Sequence, residues 1–194
     1  MILKKNPRNA VFVGENIVIK YRRDWNLRKI FNEFLLSWKA SLHGLTPTPV
    51  LIGPIIVRRT AKGIPLAKVE TKKVWRDLIE LGAALSRAGI DHKEVRHPGY
   101  HVIVGDKLQI IDLERGKLTR RPKNLSRIVP WLLAQRINPD KIKEAVEAAE
   151  APENDKKGAL EAIKRWKPVE GRRQRAPRDH QAKADSSVRS SGSA

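Results

Sequence analysis

The chain contains no cysteine. Its absence excludes a disulfide framework, a thiol nucleophile and any cysteine-ligated zinc or iron–sulfur centre, and it suits a reducing compartment. Long apolar runs are missing too. A stretch such as Pro49–Val57 falls far short of the roughly 20 residues that a membrane-spanning helix needs. The opening Met1-Ile-Leu-Lys-Lys-Asn-Pro lacks the apolar centre of a signal peptide, so a cytoplasmic location without a membrane partner is expected. Acidic residues are scarce beside basic ones, 21 against 40, which sets the net charge of the 194 residues at +19. Such an imbalance favours a polyanionic partner, whether nucleic acid, ribosome or phosphate-rich ligand, without choosing among them. What is present in quantity is apolar material, 40% of the chain. That is enough for a core and excludes a wholly disordered or collagen-like protein.

Composition changes near Val169. Gly171–Ala194 carries Arg172, Arg173, Arg175, Arg178, Lys183 and Arg189, with Val188 as its one sizeable aliphatic side chain. Too little apolar surface is available there to offset the entropy of ordering, so a flexible basic tail is expected. The body opens with two strand-like runs, Ala10–Gly14 and Asn16–Tyr21, rich in Val, Ile and Phe and separated by a tight-turn sequence. No strand is read before them. Asp24 is the expected N-cap of a helix running to about His43, closed by Gly44. Phe31, Phe34, Leu35, Trp38 and Leu42 repeat at helical spacing and mark its expected buried face. Two more strands, Val50–Ile52 and Ile55–Arg59, flank Gly53-Pro54, and an amphipathic helix runs from Thr71 or Lys72 to Ala88-Gly89. A polar loop over Asp91–Tyr100 precedes a hairpin of His101–Val104 and Leu108–Asp112, and helices are expected near 124–135, 140–149 and 156–166. Trp25, Trp38, Trp75 and Trp131 are read as packing residues.

The hairpin carries the strongest chemical signal. Asp112 follows Ile110-Ile111, where a carboxylate is awkward as core and natural as a ligand at a strand end. His92, Glu94 and His101 lie close upstream, so these four side chains are expected to converge on one cleft. The competing reading makes Asp112 a turn cap. Lys20, after Ile17-Val18-Ile19, and Glu33 on the following helix form either a buried charge pair or an exposed surface pair of little energetic weight. Arg120, Arg121, Lys123 and Arg127 make the densest basic patch of the body.

On these residues the chain resembles the protein kinase-like superfamily, in particular small archaeal proteins akin to RIO kinases, over about residues 8–136. Val18-Ile19-Lys20 is similar to the strand bearing the phosphate-binding lysine, and Glu33 to its ion-pair partner. Arg58–Leu66, with Gly63-Ile64-Pro65-Leu66, is similar to the crossing between lobes. His92-Lys93-Glu94 resembles the catalytic loop, His101 stands where such proteins carry Asn, and Asp112-Leu113-Glu114 resembles Asp-Phe-Gly. The resemblance implies that Glu94, Asp112 and Lys20 are catalytic, with Asp91 a second candidate for the base. It implies that Lys20, Glu33, Arg58 and Gly63 bind ATP. Asp112, His101 and Glu114 would hold Mg²⁺, or Mn²⁺, for which an imidazole is the better ligand. Two departures stand out: only Gly14 precedes Lys20, so a glycine-rich phosphate loop is missing, and the first strand looks truncated.

The expected fold is therefore α+β, a compact two-lobed kinase-like structure. A β-rich N-lobe would cover residues 1–66, a reduced helical C-lobe with a β-hairpin 67–170, and a disordered basic tail 171–194. The expected function is ATP-dependent phosphotransfer by an atypical, minimal Ser/Thr protein kinase that could also act as an ATPase, on an unknown protein acceptor. The alternative is a kinase-shaped, catalytically weak basic module that binds RNA, ribosomal precursors or a protein complex through its basic surface and tail.

Overall fold

Five antiparallel strands and one helix form the N-terminal part of the protein, in a computed structural model that describes residues 2–5 and 9–167. The strands β1 (Ile2–Lys5), β2 (Asn9–Val13), β3 (Ile17–Arg22), β4 (Pro49–Ile52) and β5 (Ile55–Arg59) lie in the order β1-β2-β3-β5-β4. One strand more is present than is expected from the sequence: β1 pairs with β2 along its length, Leu3 opposite Phe12. Its lysines hide it from a propensity reading, and the pairing that defines it is tertiary. Along β3, side chains alternate between faces, so Val18, Lys20 and Arg22 share the inner face and Ile17, Ile19 and Tyr21 the outer. Val11 and Ile56 stand directly opposite Lys20 on the flanking strands, which gives its aliphatic stem an apolar bed.

Helix α1 (Leu27–Leu42) crosses behind this sheet, and it departs twice from expectation. Its N-cap is Asn26, whose side chain accepts from the Lys29 N–H, whereas Asp24 is held by Arg22. Its buried face is Ile30, Glu33, Leu36, Ser37 and Ala40, so the expected stripe of Phe31, Trp38 and Leu42 lies on the exposed side, as does Trp25. The helix carries apolar residues on both sides, and pairing of Glu33 with Lys20 selects the one that turns inward.

Beyond residues 60–63 the chain forms β6 (Ile64–Pro65), α2 (Thr71–Arg87), β7 (Ile90–Asp91), the short α3 (Pro98–His101), β8 (Val102–Val104), β9 (Leu108–Ile110) and β10 (Lys117–Leu118). It ends in α4 (Asn124–Ala134), α5 (Pro139–Ala148) and α6 (Glu153–Arg165). The expected polar loop is thus broken into β7, a 3-10 turn at Lys93–Arg96 and α3, and His101 closes α3 rather than opening a strand. Asp112 lies outside the hairpin strands. Small sheets of order β6-β8-β9 and β10-β7 tie these pieces together.

The main core lies among the C-terminal helices, where Leu78, Leu81 and Leu85 of α2 belong to one buried cluster with Leu125, Ile128 and Leu132 of α4 and Ile142 and Val146 of α5. Buried Asp155 of α6 accepts from the Leu125 and Ser126 N–H groups and so caps α4 from a distant element. Gly63 has φ +131, and a Cβ there would sit 2.1 Å from the Val104 carbonyl oxygen. Only glycine lets residues 60–63 press so closely on the β8–β9 hairpin. The expected tail, Gly171–Ala194, lies outside the described residues. Among the described residues no helix is long and apolar enough to cross a membrane.

Candidate active site

Lys20 is the centre of the polar site between the sheet and the helical part. Its ammonium lies 2.8 Å from Glu33 Oε1, 2.9 Å from Asp112 Oδ1 and 3.3 Å from Glu114 Oε2. One carboxylate comes from α1 and two from the segment after β9, so three regions of chain converge on one cation. In the pair Glu33 is buried and Lys20 largely covered, which excludes the exposed-pair reading. Burial works against the ammonium, but the charges of Glu33 and Asp112 outweigh it and hold Lys20 above the ordinary lysine value. The same burial raises the Glu33 carboxyl despite Lys20. Asp112 is also desolvated, yet the Lys20 charge prevails and holds it below the usual carboxylate range.

Glu114, expected as a metal ligand, faces the sheet. It accepts from Asn9 Nδ2 at 2.7 Å and from Lys20, and it pairs with Arg22 Nη1. Glu33, Asp112 and Glu114 offer oxygens close enough for a metal, but the Lys20 ammonium already stands among them and offsets part of their charge. Glu114 therefore acts as a clamp between the sheet and the segment after β9. Desolvation opposes its charge, and Lys20, Arg22 and Asn9 together keep the carboxyl low. Arg22 is buried and also grips Asp24, which that bond pushes down to about 2. Sequence reasoning missed Arg22 and Asn9. Arg22 was detectable in principle, since it follows Lys20 by two residues on the same strand face.

A second group lies on the other side of Asp112. Glu94, His101 and Asp112 bring ligand atoms within 4.8 Å of one another. Asp112 has φ 60, a left-handed conformation sparsely used by residues other than glycine, and such outliers concentrate at functional sites. Two carboxylates and one imidazole are a donor set suited to a divalent ion such as Mg²⁺ or Mn²⁺. This set keeps Asp112 and His101 of the expected ligands and brings Glu94 near them, while Glu114 belongs to the neighbouring group with Glu33. Glu94 also meets Arg115 Nη1 at 3.3 Å.

His92 is buried, and its Nε2 lies 3.1 Å from the Asp112 carbonyl oxygen. Burial, with the neighbouring His101 charge, pushes His92 down to about 4, so the ring is neutral near pH 7. Its single N–H then donates to that carbonyl, which makes His92 a positioning group for Asp112. The His92 backbone N–H donates to Asn124 Oδ1 at 2.9 Å, and Asn124 Nδ2 donates to the Ile90 carbonyl. Asp91 is unsuited to be the base. It is buried, pairs with Arg127 and accepts from the Lys123 N–H at 3.1 Å. Arg127 is thereby withdrawn from the expected basic patch, which keeps Arg120, Arg121 and Lys123. Arg58 points inward from β5 and donates to Thr46 Oγ1 at 3.2 Å.

No protein-family model and no curated protein matches the chain. Solved structures do. The WbdD chain, solved with a kinase inhibitor, matches 84% of this chain and 44% of its own length, with a TM-score of 0.60 and 17% identity. A choline/ethanolamine kinase family protein from Mesorhizobium loti matches 84% of this chain and 75% of its own, with a TM-score of 0.56 and 13% identity. The fold is protein kinase-like. The chain thus spans less than half the length of the WbdD chain. In this kinase-like fold the sheet-borne Lys20, the helix-borne Glu33 and Asp112 behind the β8–β9 hairpin lie in one site, although 92 residues separate Lys20 from Asp112.

Proposed function

We propose that this kinase-like chain is an ATP-dependent, metal-assisted phosphotransferase, a minimal Ser/Thr protein kinase of the RIO-like archaeal kind that can also turn over ATP alone. The observation that carries the reading is the Lys20 ammonium set between Glu33 at 2.8 Å and Asp112 at 2.9 Å. Phosphoryl transfer is mostly a matter of charge compensation and positioning, and this pair of contacts supplies both. Lys20 would exchange Asp112 for phosphate oxygens while Glu33 keeps its direction. Asp112 and His101, with Glu94 beside them, would hold Mg²⁺ or Mn²⁺. A metal bound there supplies neutralisation of charge on the phosphate oxygens. His92 fixes Asp112 through its carbonyl, and Glu94, partly exposed at the rim, would orient the acceptor hydroxyl and take its proton. Residues 60–63 would offer backbone groups to the nucleotide base. Gly63 contributes there by close approach, and Arg58 adds positive charge behind Lys20.

The test is transfer or release of label from γ-labelled ATP with Mg²⁺ or Mn²⁺, the wild type beside Asp112→Ala. The expected result is turnover in at least one metal that falls by at least about 100-fold in the variant. Absence of turnover in both metals, or equal turnover in the variant, would overturn the proposal.

A further inference from the structure

The exposed side of α1 has the composition of a buried one. Leu27, Phe31, Trp38 and Leu42 follow one another at helical spacing, with Phe34 and Leu35 partly buried beside them, and Trp25 stands at the head of the row. At 100° per residue these positions fall within an arc of roughly 100°, opposite the face that packs inward. Trp25 and the four exposed helical side chains are between 46% and 66% accessible. A single exposed hydrophobe is unremarkable, but a contiguous row marks a surface that another molecule covers. Trp25 adds an independent sign. Its φ of 49 is a left-handed conformation that disfavours a bulky side chain, and it holds an indole out in solvent where burial returns nothing.

Charge decides what can cover this face. Arg23, Arg28 and Lys29 are exposed around its N-terminal end, and Arg28 and Lys39 follow one edge of the row. Between Arg23 and His43 the only acids are Asp24, held by Arg22, and Glu33, buried against Lys20. A second copy would bring the same cations together. The Arg-rich residues 171–194 carry the same sign and almost no apolar surface. RNA would satisfy the cations and could stack on Trp25, Phe31 and Trp38, but it would leave Leu27 and Leu42 without a partner. We infer that this face docks an amphipathic, acidic helix of a protein partner, whose apolar side covers the row and whose carboxylates meet Arg28 and Lys39. The docking surface is the back of the helix that aims Glu33 at Lys20.

The experiment measures fluorescence anisotropy of a labelled, Glu-rich amphipathic peptide of the length of α1, 16 residues, against the full chain without nucleotide. Its controls are a scrambled peptide of the same composition, a peptide with every Glu replaced by Lys, and oligouridylate. Two variants are compared, Phe31→Ser with Trp38→Ser, and Arg28→Glu with Lys39→Glu; their side chains are outside the core, so melting temperatures should match the wild type. The expected result is at least about tenfold tighter binding of the acidic peptide than of either control peptide, weakening with salt and falling about tenfold in each variant. The inference is overturned if the acidic peptide binds no better than its scrambled form, or if neither variant weakens it. It is also overturned if oligouridylate is the ligand lost on substituting Phe31 and Trp38, or if the wild type sediments as a dimer that those substitutions dissolve. Because nucleotide is absent throughout, the result is independent of the phosphotransfer reading.

Discussion

Replacing Lys20 by methionine would keep most of the side-chain volume and leave Glu33, Asp112 and Glu114 facing one another without their shared cation. Loss of one partner from a buried charge cluster costs about 3 kcal/mol, so Lys20→Met should lower the urea midpoint markedly, as well as abolishing nucleotide binding. Asp91 provides a cleaner titration. Burial opposes its charge, but the Arg127 hydrogen bonds and charge hold the carboxyl below the usual carboxylate value. A lowered carboxyl contributes stability that is present above its unfolded value and lost as pH falls through the folded one. Arg127→Ala leaves burial opposed only by the Lys123 N–H and the Lys117 charge, so it should destabilise the protein near neutrality, by about 3 kcal/mol, and move the onset of acid unfolding to higher pH. Melting curves from pH 7 to pH 2 would check both effects. At this scale Lys20, Glu33, His92 and Asp112 were legible, because each stands in a local pattern of strand, helix or loop. The partners of Glu114 were not legible for a physical reason: Asn9 and Arg22 lie 105 and 92 residues away, and no local pattern announces a clamp between such distant segments.

Elements read from the sequence agree with the structure where local signals coincide. The helix α2 starts at Thr71 and gives way to Gly89 at φ 67, as its apolar stripe and glycine stop indicate. The hairpin β4–β5 forms around Gly53-Pro54. Periodicity did not decide α1, because both sides of that helix are apolar and only the tertiary charge pair breaks the tie. The polar segment before the hairpin was legible as a source of clustered polar side chains but not as β7 and α3, which are too short for a periodic signal. Gly63→Ala tests the element junction directly. At φ +131, with the Val104 carbonyl 2.1 Å from the new Cβ, the change should destabilise by about 2–3 kcal/mol and weaken nucleotide binding. Gly53→Ala, where a Cβ meets nothing within 4 Å, should cost less. Comparing the two melting temperatures separates steric clash from backbone strain. Substituting the remote cap, Asp155→Ala, should cost about 1–2 kcal/mol and show as faster hydrogen exchange in the first turn of α4.

For the whole molecule, the two-part α+β architecture was legible from the order of strands and helices, and the kinase-like arrangement from residues spread across both parts. The strong positive charge did not locate a partner surface, since a count of basic residues cannot tell Arg127, spent on Asp91, from Arg120 or Arg121. Closure of the structure around Lys20 is the feature on which the functional account depends: sheet, α1 and the segment after β9 meet there and nowhere else with such density of charge among the described residues. The most direct measurement is calorimetric titration of a non-hydrolysable ATP analogue into the wild type and Asp112→Asn, each with Mg²⁺, Mn²⁺ or chelator. The account predicts binding that requires a divalent ion and is lost in Asp112→Asn, while the variant stays folded. Wild type that binds no analogue with either metal, or a variant that binds it equally well, would contradict it.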